Sequence, residues 1–283
     1  MKWGNVGEPG RERPVVISRG GTAFDASGVV ARFSGEALRD GGLDRVVDAL
    51  AANELPVVDI AGQRVGAPLQ RPGKIVCVGL NYRQHAIETG ADLPIEPVLF
   101  LKAPNTVGGP DDTVMIPPGS RKTDWEIELA VVIGQEARYL SSPDVALRYV
   151  AGYTISHDVS EREYQLERGG QWDKGKSCET FNPLGPWVVS ADEVPDPQSL
   201  ELRLWVNEEL RQDASTADMV FDVAHLVWYV SQFMVLEPGD VINTGTPAGV
   251  ALGLPHQPFL EDGDHVRLEI AGLGMQQQTF RRA

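Results

Sequence analysis

The sequence feature that most limits the possible folds is the division of the chain into short apolar runs by turns rich in proline and glycine. Examples of such turns are residues 117–119, 195–197, 238–240 and 262–264. Short runs between turns are typical of β-strands, and here they follow one another without the alternating helices of a βαβ fold. The runs that we interpret as strands are residues 74–80, 98–101, 126–133, 149–157, 187–189, 200–206, 240–244 and 266–270. We therefore predict a β-rich α+β fold.

Two stretches have helical periodicity. Residues 217–235 form the only long one, with Thr216 as the predicted N-cap, and residues 43–53 place Val46, Val47 and Leu50 on one face. Residues 66–73 form a connector rich in proline and glycine. The pattern of apolar runs before this connector differs from the pattern after it. The sequence therefore predicts a small N-terminal α/β domain over residues 1–70 and a larger domain over residues 71–283.

Charge and hydropathy exclude several classes of protein. The chain has 25 Lys and Arg against 40 Asp and Glu, a formal net charge of −15, and nucleic acid is excluded as a partner because its phosphates require a basic face. The most apolar long stretch contains Asp222, His225 and Gln232, so no membrane segment is predicted. The N-terminus lacks the apolar core of a signal peptide, and two cysteines are too few for a disulfide framework. We expect a cytoplasmic globular protein.

Two acidic residues mark the beginning of one predicted strand. Side chains alternate between the faces of a strand, so Glu126 and Glu128 point to the same face. Adjacent carboxylates repel each other, and a divalent cation such as Mg²⁺, Mn²⁺ or Ca²⁺ removes that repulsion. The pattern alone leaves two interpretations open, a metal site and a solvated acidic strand edge.

A third acidic residue supports the metal site. Asp158 directly follows the strand predicted at residues 149–157, where its carboxylate can join the other two. Taken alone, Asp158 fits better as the N-cap of the segment at residues 159–167. His157 is a competing ligand for a transition metal, but no second histidine lies at ligand spacing.

A second cluster follows the strand predicted at residues 74–80. If residues 82–88 contain a helical turn, His85 and Glu88 lie three residues apart on one face. A histidine held by a carboxylate is an oriented general base. The alternative interpretation is an exposed surface pair.

Two further segments carry groups suited to an anion. Lys176 lies in a Gly-Lys-Ser sequence that lacks the helix of a nucleotide-binding loop, because Pro183 and Pro186 follow it. This lysine can still serve an anionic substrate or an oxyanion. Residues 243–250 form a glycine-rich turn whose backbone N–H groups can hold a carboxylate, or which is purely structural.

Together these motifs resemble the fumarylacetoacetate hydrolase family. The resemblance covers about residues 72–275, and longer matches at residues 165–172 and 231–234 are most similar to the branch that hydrolyses 2,4-diketo-3-deoxy-sugar acids. The five motifs that carry it are residues 79–82 with His85 and Glu88, residues 124–129, residues 157–162, residues 174–177 and residues 244–247. One departure is Ala251, where we would expect glycine.

The resemblance implies a mixed β-sandwich roll, a homodimer and a bound Mg²⁺ or Mn²⁺. It also implies a set of site residues with distinct roles. These are Glu126, Glu128 and Asp158 as metal ligands, His85 and Glu88 as a water-activating dyad on a mobile lid, Lys176 as the lysine facing the substrate's carboxylate or oxyanion, and Arg162, Gln165 and Thr246 as substrate-contacting residues.

The implied reaction is metal-dependent hydrolysis of a C–C bond in a 2,4-diketo acid, with release of pyruvate. The substrate is expected to be a small 2-oxo acid, either an acylpyruvate or a 2,4-diketo-3-deoxy-sugar acid. Two alternatives within the family are an oxaloacetate decarboxylase and a hydroxydienoate isomerase. A third alternative is a non-enzymatic acidic module that binds a cation, and such a module would have no use for His85 or Lys176.

Overall fold

The computed structural model describes residues 1–283, which form seventeen strands and five α-helices. The strands are β1 (Lys2–Val6), β2 (Arg13–Ile17), β3 (Ala23–Asp25), β4 (Ile75–Gly79), β5 (Val98–Lys102), β6 (Val107–Gly108), β7 (Val114–Ile116), β8 (Thr123–Asp124), β9 (Ile127–Ile133), β10 (Val150–His157), β11 (Ser160–Glu161), β12 (Asn182–Ser190), β13 (Glu201–Val206), β14 (Glu209–Ser215), β15 (Val241–Asn243), β16 (His265–Ile270) and β17 (Gly274–Arg282). The α-helices are α1 (Gly35–Arg39), α2 (Gly42–Ala51), α3 (Arg83–Glu88), α4 (Asp173–Lys176) and α5 (Val223–Ser231). Short 3₁₀-helices cover Pro104–Thr106, Pro143–Tyr149, Ala191–Glu193, Thr216–Asp218 and Ala251–Gly253, and a π-helical turn covers Glu163–Glu167. The predicted β-rich α+β class is confirmed.

A large mixed sheet organises the molecule. It contains ten strands, in the order β3-β2-β1-β12-β10-β9-β15-β4-β5 with β6 paired to β12. In its centre β9 lies antiparallel to both β10 and β15. A second sheet of five strands has the order β14-β13-β16-β17-β7, and β8 pairs with β11 in a small sheet of two strands. These mixed sheets match the predicted roll.

The packing of β9 explains how the two larger sheets are held together. All seven residues of this strand are buried, so both of its faces contribute to cores. One face packs against the five-stranded sheet in the main apolar core, whose members include Ile127, Leu129, Leu202, Leu204 and Leu268. The other face contributes Ala130 and Val132 to a second core together with Trp3 and Phe33. Burial on both sides fixes the register of β9, and with it the positions of Glu126 and Glu128.

The N-terminal strands extend the large sheet. β1 pairs antiparallel with β12, where Lys2 lies opposite Val189 and Trp3 opposite Val188. The second core likewise combines Trp3 with Ile75 from the other side of the predicted connector. The division at residue 70 stays a prediction, while main-chain hydrogen bonds and packing join the two parts of the chain.

The helix predicted over residues 217–235 is wrong in its length and in its N-cap. α5 begins after Asp222, whose Oδ1 accepts the His225 N–H at 2.7 Å. The preceding backbone is held by Asn81, because Val220 N–H donates to the Asn81 carbonyl and Phe221 N–H donates to its side-chain oxygen. Those bonds replace the helical ones that periodicity alone suggested. α2 agrees closely with the shorter predicted helix, and no helix has the length and hydropathy to cross a bilayer.

Candidate active site

Three carboxylates meet where β9 begins and β10 ends. Glu126 directly precedes β9, Glu128 is the second residue of β9, and Asp158 directly follows β10. The Asp158 N–H donates to the Glu126 carbonyl at 2.9 Å, which continues the antiparallel pairing of the two strands. All three side chains are buried, and one oxygen from each lies within 4.8 Å of the others. The structure thus brings together the three predicted ligands, whose role as ligands stays a prediction.

Three buried cations contact this carboxylate cluster. Lys176 Nζ lies 2.6 Å from Glu126 Oε2 and 2.9 Å from Asp158 Oδ2. Arg162 Nη2 lies 2.8 Å from Glu126 Oε1, as an ion pair without hydrogen-bond geometry. Lys102 Nζ contacts Asp158 Oδ1. These close cations offset the free-energy cost of burying the charged carboxylates of Glu126 and Asp158.

The three acids differ in their electrostatic surroundings. Burial raises the pKa of Glu128 well above its ordinary value, and the negative charges of Asp158 and Glu126 raise it further. Burial would also raise the pKa of Glu126, but the charges of Lys176 and Arg162 outweigh this effect and hold that pKa below its ordinary range. Glu128 makes no ion pair within the chain, so a divalent cation would stabilise its ionised form most. Three clustered carboxylates supply the oxygen ligands that Mg²⁺ and Mn²⁺ prefer, and the site therefore fits such an ion.

Lys102 is a site residue that the sequence analysis missed. It is the last residue of β5, and its side chain is fully buried. A lysine at the end of an apolar run is ordinarily a surface residue, so its position gave only a weak signal. Its partner Asp158 lies 56 residues further along the chain, and no local pattern connects the two.

α3 carries the predicted dyad on one face. His85 Nδ1 lies 3.5 Å from Glu88 Oε1, somewhat beyond ordinary hydrogen-bond distance. His85 is only 7 % exposed, which excludes the interpretation as an exposed surface pair. Glu88 Oε2 accepts the Gly249 N–H at 2.7 Å, so this helix is anchored to the turn after β15. A Cβ atom at Gly253 would lie 2.2 Å from Glu88 Cγ, and the close approach therefore requires glycine there.

The glycine-rich turn at residues 243–250 holds carboxylates of the protein itself. Gly245 N–H donates to Glu128 Oε2 at 2.8 Å, and Gly249 N–H donates to Glu88 in the contact just described. Gly245 has a φ of 101°, which side chains rarely permit. The turn therefore binds carboxylates, and these belong to the side chains of Glu128 and Glu88.

Asp124 links Arg162 to the segment on which α3 docks. Its Oδ2 accepts from Arg162 Nε at 2.8 Å, and its Oδ1 accepts the Ala251 N–H at 2.7 Å. Ala251 is buried in the short 3₁₀-helix, where its own backbone needs no left-handed conformation. Alanine is therefore accommodated at the position where we would expect glycine.

His157 lies outside the carboxylate cluster. Its Nδ1 shares a hydrogen bond of 2.9 Å with Gln278 Oε1, and its ring packs against Phe280. Burial lowers the pKa of His157 to about 3, so the ring is neutral. The interpretation of His157 as a metal ligand finds no support in this geometry.

A cavity of about 250 Å³ lies beside the cluster and brings most of the predicted site together. Seven of the nine predicted residues line it, namely His85, Glu126, Glu128, Arg162, Gln165, Lys176 and Thr246. Of the other two, Glu88 contacts His85, and Asp158 contacts Lys176. Gln165 Oε1 accepts from Arg162 Nη1 at 3.0 Å, and no hydrogen bond within the chain uses its Nε2. A histidine, acidic groups and cations thus line one cavity.

Comparison with known sequences identifies relatives along the whole chain. The sequence pattern described as fumarylacetoacetate (FAA) hydrolase C-terminal matches residues 74–281. A Burkholderia multivorans protein, whose name specifies no substrate, is 50% identical over 284 residues, which cover 100% of both proteins. The N-terminal part of this chain therefore has counterparts in full-length relatives.

Solved structures with a similar fold include three enzymes. Fumarylacetoacetate hydrolase from Exiguobacterium antarcticum matches with a TM-score of 0.86 and 36% identity, over 100% of both chains. Maleylpyruvate hydrolase from Sphingobium, in complex with manganese (II) ion and pyruvate, matches with a TM-score of 0.81 and 29% identity, over 100% of both chains. A 5-carboxymethyl-2-hydroxymuconate delta-isomerase from Mycobacterium smegmatis matches with a TM-score of 0.78 and 33% identity, over 100% of this chain and 99% of the other.

Proposed function

The chain belongs to the fumarylacetoacetate hydrolase family, and we propose that it hydrolyses a C–C bond in 2,4-diketo acids and releases pyruvate. The observation that carries the proposal is that His85, Glu126, Glu128 and Lys176 line one cavity. Hydrolysis needs a base for water and a cation for the developing negative charge, and both are present there. The complex of the similar maleylpyruvate hydrolase with manganese and pyruvate supports this choice of reaction.

Glu126, Glu128 and Asp158 would hold the Mg²⁺ or Mn²⁺ ion. When bound, the cation supplies a Lewis acid and a template for the carboxylate and keto oxygen of a 2-oxo acid. The crowding of the three carboxylates and the lack of an ion pair at Glu128 support this assignment.

His85 acts as the general base in this proposal. Its Nδ1 is buried and faces Glu88 Oε1, which leaves Nε2 to take a proton from water. The water oxygen adds to the C4 carbonyl, and the C3–C4 bond then breaks with its electron pair passing to C3 as pyruvate enolate. The proton held by His85 returns to C3, so the products are pyruvate and one carboxylic acid.

Lys176 stabilises the negative charge that develops during cleavage. Burial would lower the pKa of Lys176, but the charges of Asp158 and Glu126 outweigh that effect and raise it, so the ammonium group stays charged. A fixed cation in a buried site stabilises an enolate more than water does. Arg162, Gln165 and Thr246 line the same cavity and orient the substrate.

The test is pyruvate release from a panel of 2,4-diketo acids, measured with Mn²⁺, with Mg²⁺ and with EDTA. We expect release with either cation and loss of release in EDTA. Alanine at Glu126, Glu128 or Asp158 should abolish both release and calorimetric Mn²⁺ binding, while circular dichroism shows an intact fold. The matched control is Glu209→Ala, because Glu209 is exposed on β14 and pairs only with Arg211. Unchanged Mn²⁺ affinity in a variant would remove that residue from the site.

Isomerisation of a hydroxydienoate is the second candidate, favoured by the similarity to the delta-isomerase. It shifts a proton within the substrate and needs no attacking water, so the absorbance of the dienoate would change without pyruvate release. Oxaloacetate decarboxylation would release pyruvate without water attack. A non-enzymatic cation-binding module would turn over none of these compounds.

A further inference from the structure

Part of the cavity lining is apolar, in contrast to the charged cluster. This apolar part, the acyl wall, consists of Val78, Leu80, Ala91, Phe100, Leu166, Trp172 and Leu252. Its aromatic part begins next to the cluster, because Lys176 Nζ lies 5.1 Å from the centre of the Phe100 ring. Phe100 and Trp172 then form an edge-to-face pair with their centroids 5.3 Å apart. Leu166 is 43% exposed and therefore marks the outer end of the wall.

The acyl wall is held in place before any substrate binds. The Trp172 ring lies against the backbone of β4, since a Cβ atom at Gly79 would lie 2.5 Å from ring atom Cζ3. The next residue, Asp173, accepts the Leu101 N–H at 3.1 Å and so ties the beginning of α4 to β5. A preorganised apolar wall loses little entropy when it packs against a ligand.

No arginine or lysine of the cavity lining remains for a second substrate carboxylate. Arg162 and Lys176 are the only arginine and lysine that line the cavity, and both point to the carboxylate cluster. A carboxylate placed against Phe100 and Trp172 would lose water without gaining a cation. Burial of such an unpaired charge is strongly unfavourable.

The hydroxyl groups of the lining are also engaged within the protein. Thr89 Oγ1 donates to the His85 carbonyl at 2.9 Å, and Thr246 Oγ1 donates to the Ile127 carbonyl at 2.9 Å. Apart from Gln165 Nε2, which is free to donate, the lining offers no unused side-chain hydroxyl or amide donor, and a chain of substrate hydroxyls along the acyl wall would exchange hydrogen bonds with water for contact with apolar atoms. That exchange is unfavourable.

We propose that the substrate's acyl group is neutral and apolar, so that the enzyme prefers aliphatic or aromatic acylpyruvates over dicarboxylic and polyhydroxylated diketo acids. This inference rests on the proposed hydrolase function and names its substrate class. It departs from the sugar-acid substrates suggested by the longer matches, which include residues 165–172, because Leu166 and Trp172 of that segment give the cavity apolar surface and no further charge.

The test compares kcat/KM for acetyl-, butanoyl- and hexanoylpyruvate with that for succinylpyruvate and its distal methyl ester. We expect a rise of about fourfold for each added methylene that the wall covers, which corresponds to about 0.8 kcal/mol. The kcat/KM of the ester should exceed that of the acid at least about tenfold, since the two substrates differ mainly in the distal charge. The inference would be overturned if kcat/KM for succinylpyruvate or for a hydroxylated substrate equalled or exceeded the values for the neutral series.

Substitutions in the wall provide a second measurement. Trp172→Ala should lower the ratio of kcat/KM for hexanoylpyruvate to that for acetylpyruvate about tenfold. Leu166→Arg should raise kcat/KM for succinylpyruvate relative to the neutral substrates. Tyr139→Ala is the control, because Tyr139 is an aromatic residue that is 74% exposed and outside the cavity. Preferences unchanged by both wall substitutions would count against the wall as the acyl site.

A binding experiment separates this inference from the proposed function. If no diketo acid yields pyruvate, the hydrolase proposal fails, and the acyl preference is read from thermal unfolding with Mn²⁺ and unreactive 2-oxo acids. 2-Oxohexanoate and 2-oxoadipate have the same chain length and differ in the charge of the tail. Greater stabilisation by 2-oxohexanoate supports the inference, and equal or greater stabilisation by 2-oxoadipate contradicts it.

Discussion

At the scale of single residues, Lys102 neutralises the buried carboxylate of Asp158, which is not accessible to solvent. It contacts Asp158 inside the protein, so Lys102→Met leaves that carboxylate with Lys176 alone. Breaking one buried pair typically costs about 3–5 kcal/mol, and we expect a loss near the lower end for the metal-free protein. Urea denaturation measures the free energy of unfolding, and saturating Mn²⁺ should restore more stability to the variant than it adds to the wild type.

The control for this measurement is Lys122→Met. Lys122 pairs with Glu167 at the surface, where an ion pair is worth about 0–1 kcal/mol. If the two lysine variants lost the same small amount of stability, Lys102 would have no role in neutralising Asp158.

His85 is expected to separate two reactions that share the cavity. General-base assistance contributes about 10²–10⁴-fold, so His85→Ala should lower diketo-acid hydrolysis by that factor, roughly 3–5 kcal/mol of barrier. Any oxaloacetate decarboxylation should fall much less, because that reaction needs no activated water. Glu88→Ala should act in the same direction but more weakly, since Glu88 orients the base. Paired kinetics of both variants on the two substrates at saturating Mg²⁺ provide the measurement.

Two outcomes would change the role given to His85. Equal losses on both substrates would indicate that it serves substrate binding or the docking of α3. No loss on either would leave the hydrolase proposal without its base.

The positions of individual residues were predictable where local geometry determines them. Alternation along a strand places Glu126 and Glu128 together, and the helical interval places His85 beside Glu88. Lys102 escaped prediction because its partner depends on how β5 packs near the end of β10. Contacts between distant segments leave no periodic trace in the sequence.

At the scale of elements, the docking of α3 depends on one glycine. Gly253→Ala places a methyl group against Glu88 and should displace its carboxylate from the Gly249 N–H. Misplacement of a catalytic group by about 1 Å can cost 10²-fold, so we expect hydrolysis to fall about 10–100-fold. Calorimetric Mn²⁺ affinity should stay unchanged, because the carboxylate cluster is not touched.

Two controls make the result specific to the docking of α3. Gly28→Ala adds a methyl group where no atom lies within 4 Å, and it should leave hydrolysis unchanged. In a double variant, Gly253→Ala should add little to the loss caused by Glu88→Ala, because both act on one contact. Additive losses would mean that Gly253 acts by another route.

The elements also show where sequence patterns mislead. Residues 217–235 have helical periodicity over their whole length, yet the 3₁₀-helix at Thr216–Asp218 ends before α5 begins, and Asn81 holds the backbone of Val220 and Phe221 between them. A buried amide side chain that satisfies several backbone groups outweighs a helix propensity of a few tenths of a kcal/mol per residue. The strands were easier to predict because turns rich in proline and glycine bound them on both sides.

At the scale of the whole molecule, we propose the homodimer that the family resemblance implies. Large apolar side chains remain exposed on the single chain, among them Ile95 at 96% and Phe233 at 64%. Sedimentation equilibrium at several concentrations should give a mass near twice 30.8 kDa. A single species near 30.8 kDa at all concentrations would contradict the prediction.

The shared ion pairs of the carboxylate cluster also constrain how such a sequence diverges over generations. Lys176 serves Glu126 and Asp158 at once, and Arg162 serves Glu126 and Asp124. Loss of Asp158 leaves the buried Lys102 without an acidic partner, and loss of Asp158 together with Glu126 does the same to Lys176, so a lineage that abandons this chemistry must replace acids and cations together or pass through less stable ancestors. Acidic and basic residues at these positions should therefore be inherited, and discarded, as a block.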